Sequence, residues 1–241
     1  MITVILQTHR RPENIPIMLK RIREQTEKVE RILLWNDFDE RKINLNFPGV
    51  ECINSDSNKW FGFPQMVLGY FATTEYLAIM DDDVPPGPEW FKFAKEKLIK
   101  LNSPVGGFGT RFYRLKPFER YNWRSDEFLQ ESELEVDMLG QSYFLKSDWI
   151  LALFRERPPL WDHCIDLHLS YTLQKYLGLN KYVISPGKKR NLACSIYNLE
   201  ELIVSPFQKA ISIPAGPHLK TRQEYLLQAV ERGFKLKWLK S

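Results

Sequence analysis

The chain has 241 residues, of which 44% are hydrophobic and 27% are charged, and its formal net charge is +4. This composition is that of a soluble globular protein and excludes a disordered or fibrous chain, while the length suits one large α/β domain or two small ones. The longest apolar segments are too short to span a membrane, and residues 1–6 lack the basic leader and cleavage site of a signal peptide. With no linker or repeat visible, the sequence predicts a single domain, residues 1–241, located in the cytoplasm and without a transmembrane segment.

Strands and helices alternate along the first hundred residues. Short apolar runs predict strands at 3–7, 31–35, 51–53 and 76–80. Apolar residues at helical spacing predict helices at 13–26 and 63–73. This alternation is typical of an α/β fold with a central, mainly parallel sheet flanked by helices.

An acidic triplet, Asp81, Asp82 and Asp83, directly follows the predicted strand 76–80. Adjacent carboxylates repel one another, and partial burial increases that cost. A divalent cation relieves the repulsion, and Mg²⁺ or Mn²⁺ prefers such oxygen ligands, often shared with a substrate's phosphates. The alternative is an acidic turn that caps the helix beginning near Glu89.

Polar residues also follow the other predicted strands. They are Thr8, His9 and Arg10 after the first strand, Asn36 and Asp37 after the second, and Asn58 and Lys59 beyond the third. Since the carboxyl ends of parallel strands share one edge of a sheet, these groups are expected to converge with the triplet on one cleft.

The second half of the chain is less regular. The predicted features are, in chain order, a glycine-rich strand or turn at 105–109, an acidic surface loop or hairpin at 127–137, a strand over 136–145 broken at Gly140, a helix over 147–154 capped by Ser147, a helix over 166–177 ending at Gly178, a loop over 205–221 and a helix over 222–232. The cysteines, at 52, 164 and 194, form no metal-ligand pattern and are expected to be reduced thiols. Basic clusters at 188–190, 220–222 and 235–240 are expected to be solvated faces, so no nucleic-acid partner is predicted.

Five short segments occur in an order that is similar to a known family. They are ILQTHRR (5–11), ILLWND (32–37), IMDDD (79–83), MLGQSYF (138–144) and CIDL (164–167). These resemble, in the same order, the Gln-Thr-Tyr-x-Arg, Trp-Asn-Asn, Asp-x-Asp, Gly-x-Ser-x-Phe and Cys-Asp-Asp-Ile segments of the exostosin-like catalytic domain, a GT-A glycosyltransferase. The similarity extends from about residue 2 to residue 187.

The resemblance implies a GT-A (Rossmann-like) fold that transfers a sugar from a nucleotide-sugar donor, a UDP-sugar in the first place, to a glycan acceptor with Mn²⁺ or Mg²⁺ as cofactor. Residues 1–103 would form the nucleotide-sugar-binding half and residues 104–241 the acceptor-binding half. The implied nucleotide-sugar-binding residues are Thr8, Arg10, Arg11, Asn36, Asp37, Asn58, Lys59, Asp81 and Asp82. Asp83 would hold the metal with help from Asp81, Asp166 would lie at the reacting sugar, and the sugar or acceptor would contact Gly140, Gln141 and Trp161.

Some positions depart from the family or leave alternatives open. Ile165 replaces the first of the family's paired acids, and Asp162 either compensates as a second catalytic acid or caps the following helix. His218 is either a further metal ligand or a solvated loop residue, while Lys220 and Arg222 are predicted to close over the diphosphate as a lid.

The predicted reaction is a transfer that retains anomeric configuration. An inverting transferase, with Asp166 or Asp162 as general base, is the alternative within the class. Two alternatives of other classes are a nucleotidyltransferase that uses the acidic residues for two-metal chemistry and a non-catalytic domain that binds nucleotides or sugars.

Overall fold

The computed structural model describes residues 1–37, 42–43, 48–57, 62–116, 118–159, 164–194 and 217–240, without the side chains of residues 126 and 217–219. Within these residues the strands are β1 (Ile2–Thr8), β2 (Val29–Asn36), β3 (Val50–Asn54), β4 (Tyr76–Asp81), β5 (Val105–Gly106), β6 (Phe108–Arg114), β7 (Glu119–Arg124), β8 (Glu131–Val136), β9 (Met138–Gly140), β10 (Ser142–Lys146) and β11 (Lys181–Pro186). The α-helices are α1 (Ile15–Arg23), α2 (Phe63–Leu68), α3 (Trp90–Leu101), α4 (Ile165–Leu177) and α5 (Pro217–Glu231). Short 3₁₀ segments cover Pro12–Asn14, Gly69–Phe71, Ser125–Glu127, Ser147–Arg155 and Arg190–Leu192.

The larger sheet has the strand order β3-β2-β1-β4-β10-β5-β11-β8. β1 pairs in parallel with both β2 and β4, and β2 pairs in parallel with β3. β10 is antiparallel to β4, and β8 is antiparallel to β11. β1 is buried along its whole length because packed elements cover both faces of the sheet, which explains its unbroken apolar sequence. These observations confirm the predicted α/β fold with a mainly parallel central sheet.

The sheet has a topological switch point beside β1. The chain runs from β1 outward to β2 and β3 and then returns to place β4 on the opposite side of β1. In open α/β sheets, ligands bind where the strand order reverses in this way, at the carboxyl ends of the strands. The two strands that meet there end at Thr8 and Asp81.

Amphipathic helices cover the sheet. In α1 the residues Ile15, Met18, Leu19 and Ile22 are buried, and this spacing forms one apolar stripe along the helix. α4 is instead buried on all sides over residues 167–173, and it ends at Gly178, whose left-handed φ of 67° suits a residue without a Cβ.

Several local predictions were wrong. The acidic segment predicted as a loop or hairpin contains β8, an edge strand of the larger sheet. The segment after β10 is a 3₁₀ helix, and Ser147 does not cap it, since Lys146 precedes its first turn and no side-chain cap forms. α5 begins at Pro217, inside the predicted loop. Glu89 stands before α3 but does not cap it, and the Phe91 N–H in its first turn donates over 3.0 Å to Gln25 Oε1 and not to the acidic triplet.

β6, β7 and β9 form a second, three-stranded antiparallel sheet, and α4 and α5 pack beside it. His168 of α4 is completely buried there. Its Nε2 lies 3.1 Å from the carbonyl oxygens of Leu153 and Glu156, and its Nδ1 is hydrogen bonded at 2.5 Å to the hydroxyl of Tyr225 in α5. A neutral imidazole fits this arrangement, with Nε2–H donating and Nδ1 accepting. His168 is therefore a structural residue that joins α4 to α5.

We expect the pH dependence of stability to report this buried histidine. Burial lowers the pKa of His168 below that of an unfolded histidine, although nearby carbonyl groups oppose the shift. The unfolded chain therefore binds more protons as the pH falls through the histidine range, and the fold loses stability by at most ~1.4 kcal/mol per pH unit from this site. Urea unfolding between pH 7 and pH 5 should show this slope in the wild-type protein and a smaller slope in His168→Gln.

The groups that face His168 do not produce the same slope. They are Tyr225, Tyr171, Glu156 and Arg232. Hydrogen bonds from Lys175 and two tyrosines lower the pKa of Glu156 to about 2 although burial opposes this, so Glu156 stays charged above pH 5. Equal slopes in the two proteins would contradict a neutral buried histidine.

None of the described helices is long and apolar enough to cross a membrane. The cysteines are free thiols, as predicted, with Cys164 and Cys194 buried and Cys52 partly exposed.

Candidate functional site

The acidic triplet lies at the carboxyl end of β4 and is held by Arg11, which follows β1. Arg11 Nη2 lies 2.5 Å from Asp82 Oδ1, and its Nη1 lies 2.8 Å from Asp83 Oδ2. The Thr8 hydroxyl donates a hydrogen bond of 2.5 Å to the other oxygen of Asp82. The ends of β1 and β4, 74 residues apart in sequence at this bond, are therefore joined through their polar side chains.

The ends of β1 and β2 are joined by the backbone. Asp37 N–H donates to the Thr8 carbonyl over 2.8 Å, and His9 Nδ1 lies 2.9 Å from the Asp37 carbonyl oxygen. Asn36 donates a side-chain hydrogen bond of 2.8 Å to Asn54, at the end of β3. The predicted convergence of strand ends on one edge thus holds for β1, β2 and β4.

The antiparallel strand β10 brings the second half of the chain to the same edge. Ser142 of β10 pairs with Met80, and the Gln141 carbonyl accepts a hydrogen bond of 2.9 Å from the Asp81 backbone N–H. Gln141 has a left-handed φ of 60°. This conformation is unfavourable for a residue that has a Cβ, and it often occurs at functional sites. Its neighbour Gly140 lies against Asp166, whose Oδ2 would be 3.9 Å from a Cβ at that position.

Asp166, in the first turn of α4, is oriented by Tyr143. The Tyr143 hydroxyl lies 2.7 Å from Asp166 Oδ1 and 2.6 Å from the Leu139 carbonyl oxygen. The hydroxyl has one proton, so it donates to only one of these two acceptors at a time. Asp166 is only partly buried, and it lines a cleft.

The site concentrates negative charge. Burial raises the pKa of Asp81 well above its ordinary value, and the charges of Asp83, Asp166 and Asp82 raise it further. Burial also raises the pKa of Asp82 to about 7, against the opposing effect of Arg11. The pKa of Asp166 is raised by burial and held down by Tyr143 and Arg222. A group of four carboxyl residues with Arg11 on two of them attracts further positive charge.

The residues present fit a divalent cation. Asp83 Oδ1 is buried and has no hydrogen-bond partner among the described residues, which leaves a hard oxygen donor available next to Asp81. No three acidic, histidine or cysteine side chains of the described segments already surround a metal position. A cation here would therefore complete its coordination with substrate oxygens and water, as is usual for Mg²⁺.

Other predicted residues are placed as follows. Arg222 lines a cleft beside Asp166, whereas Lys220 is exposed and faces Glu224 on the same helix. Arg10 is exposed, with a left-handed φ of 58°. The residues Asn58, Lys59, Trp161 and Asp162 and the side chain of His218 lie outside the described part of the structure, and their roles stay predictions.

Three residues were not predicted from the sequence. Tyr143 lies within the segment 138–144 quoted above, so its motif carried a signal for it. Gln65 of α2 donates to the Met80 carbonyl over 2.8 Å and lies 3.5 Å from Asp81 Oδ1. Arg120 of β7 shares the cleft of Arg222 and Asp166. No spacing in the sequence indicates the last two, because their positions follow from packing.

Comparison with known proteins identifies the fold. No protein-family model matches the chain, and no curated protein matches its sequence. The crystal structure of residues 1–349 of TarS from S. aureus is similar to this chain, with a TM-score of 0.54 and 15% sequence identity. The match covers 78% of this chain and 58% of that chain. At this identity the similarity concerns the fold alone, which is α/β of the GT-A type.

Proposed function

We propose that this chain is a metal-dependent glycosyltransferase that moves a sugar from a UDP-sugar to a hydroxyl group of a glycan, with retention of anomeric configuration. The observation that carries the proposal is the meeting of Asp81 and Asp166 in one acidic cluster, although they belong to the two halves of the chain. The cluster lies at the switch point of a GT-A-type sheet, where a ligand is expected. A donor bound at Asp81 would thus meet an acceptor bound beside Asp166.

The ends of β1 and β2 provide the pocket for the nucleotide in this proposal. Thr8, Asn36 and Asp37 are buried polar residues at these ends. A carboxylate oxygen of Asp37, Oδ2, accepts no hydrogen bond from the described residues. It suits the N3–H donor of uracil, which supports UDP as the nucleotide.

Asp83 and Asp81 would hold Mn²⁺ or Mg²⁺ together with the diphosphate. When bound, the ion neutralises the charge of the departing nucleotide diphosphate. Arg11 already contacts one oxygen of Asp83, so it would share this carboxylate with the ion. Arg11 and the Thr8 hydroxyl keep Asp82 fixed throughout.

Asp166 would act at the reacting sugar. Glycosyl transfer builds positive charge on the anomeric centre, and a carboxylate held nearby stabilises it. The Tyr143 hydroxyl keeps Asp166 in one orientation and favours its charged form. With retention, the leaving diphosphate and the incoming hydroxyl occupy the same face of the sugar, and Asp166 steadies the cationic ring.

Incubation with a panel of UDP-sugars and Mn²⁺ tests the proposal. We expect slow hydrolysis of one donor to UDP and free sugar, and faster release of UDP when an acceptor is present. Asp83→Ala should lower both rates by about 10²-fold or more, since it removes a ligand of the diphosphate-bound ion. The matched control is Asp56→Ala, because Asp56 is exposed and pairs with Lys42 at the surface.

Each alternative gives a different result. A nucleotidyltransferase would release pyrophosphate when it is given UTP and a sugar 1-phosphate, whereas binding of UDP-sugars without turnover in either assay would indicate a non-catalytic domain. NMR of the anomeric proton reads the configuration of the product. An inverted product would exclude the retaining mechanism and would indicate that Asp166 acts as a general base.

A further inference from the structure

A second cleft lies beside Asp166 and contains two arginines. Arg120 comes from β7 and Arg222 from α5, and both line the cleft together with Asp166. The cleft contains none of the triplet residues and none of the residues that end β1 and β2. It is therefore separate from the edge of the sheet at which the nucleotide is proposed to bind.

The two guanidinium groups are close enough to repel each other. Burial lowers the pKa of Arg120, and the charge of Arg222 lowers it further. In the described part of the chain no carboxylate forms an ion pair with Arg120, whose guanidinium carbon lies 6.0 Å from the centre of the Phe118 ring. The lining thus sets two arginines against one carboxyl group, Asp166, so a further anion is attracted to the cleft.

The shape of the cleft limits what can bind. Its walls are largely apolar and include Phe112, Phe118 and Met138. In the observed side-chain arrangement it leaves about 10 Å³ for the centre of a water molecule, which is room for roughly one water. Arg120, Arg222 and Phe118 are only partly buried, so this side of the cleft faces solvent, and a phosphate or carboxylate group would need side chains there to move apart.

We propose that Arg120 and Arg222 bind a phosphate or carboxylate group of the acceptor, and that the protein therefore glycosylates an anionic acceptor. The inference rests on the proposed function, because it takes Asp166 as the point of sugar transfer. The accepting hydroxyl would lie at Asp166, a few bonds from the anionic group. This assigns Arg222 to the acceptor and not to the donor diphosphate.

Binding measurements with the donor site filled test the inference. Inorganic phosphate is titrated into the protein in the presence of saturating UDP and Mn²⁺, and glucose 6-phosphate is compared with glucose. We expect phosphate to bind and glucose 6-phosphate to bind about tenfold or more tightly than glucose, as for other charge-assisted hydrogen bonds. Arg120→Gln should remove this preference, and Arg120→Lys should restore part of it.

Arg114→Gln is the matched control, because Arg114 is an exposed arginine of the same small sheet that pairs with Glu119. Phosphate binding that persists unchanged in Arg120→Gln would overturn the inference. So would phosphate binding that UDP abolishes, since it would place the anion in the donor site. Failure of the proposed function would instead appear as a wild-type protein that neither binds UDP nor hydrolyses any UDP-sugar.

Discussion

Asp166→Asn is expected to lower the rate of sugar transfer by about 10²- to 10⁴-fold, the range associated with a positioned acid or base, while the affinity for UDP and Mn²⁺ stays within about threefold. Asparagine keeps the shape of the side chain and its contact with the Tyr143 hydroxyl, but it cannot carry the negative charge that stabilises the cationic sugar. The rate is measured by UDP release with donor and acceptor, and the affinity by calorimetry.

Two further variants make this test specific. Asp148→Asn removes an exposed carboxylate and should leave the rate unchanged. Tyr143→Phe removes the hydroxyl that lowers the pKa of Asp166, so the acidic limb of the pH–rate profile should move to higher pH. A fully active Asp166→Asn protein would remove Asp166 from the reaction.

Arg11→Met is expected to destabilise the metal-free protein by about 3–5 kcal/mol at pH 7, the usual cost of breaking a buried ion pair from one side. The substitution keeps much of the buried side-chain volume but leaves Asp82 and Asp83 without their cation. Addition of Mn²⁺ should recover part of the loss, because the ion supplies the missing positive charge. Urea denaturation with and without Mn²⁺ measures both effects.

Arg31→Met is the control for this experiment. Arg31 also pairs with a carboxylate, Glu51, but on the surface, where loss of an ion pair costs about 1 kcal/mol or less. If Arg11→Met were no more destabilising than Arg31→Met, the buried pairing of Arg11 with the triplet would be contradicted. If Mn²⁺ recovered none of the stability that Arg11→Met loses, its binding at the triplet in place of the missing positive charge would be contradicted.

The sequence predicted the central strands well because they are buried on both faces. β1, β2 and β4 read as continuous apolar runs, and their bounds lie within two residues of the prediction. β8 was missed because its sequence, ESELEV, is that of a half-exposed edge strand with no apolar run. Hydrophobic periodicity reveals a strand only where one or both of its faces are buried, and an edge strand buries little of its surface.

At the candidate site, too, the sequence predicted what depends on strand order and missed what depends on side-chain packing. The alternation of strands and helices was enough to place Thr8 and Asp82 at one edge, where the structure finds them in contact. The position of Arg11 on Asp82 and Asp83 was not predictable, since it depends on side-chain pairing across 71 and 72 residues of sequence. The cleft of Arg120 and Arg222 depends likewise on the docking of α5 against the second sheet, which no local pattern encodes.

The pairing of β4 with β10 restricts how such a protein changes its acceptor during evolution. β4 is the last strand supplied by residues 1–103, and its outer edge is hydrogen bonded along residues 76–80 to a strand from the second half. A chain recombined at residue 103 would expose that edge, or shift its register, unless the incoming half carried a matching strand. A shift of register would move Gln141 away from the Asp81 backbone and Gly140 away from Asp166. If β7 and α5 bind the acceptor as proposed, new acceptors are more readily acquired by substitution in these two elements, which lie outside this pairing, than by exchange of the whole half.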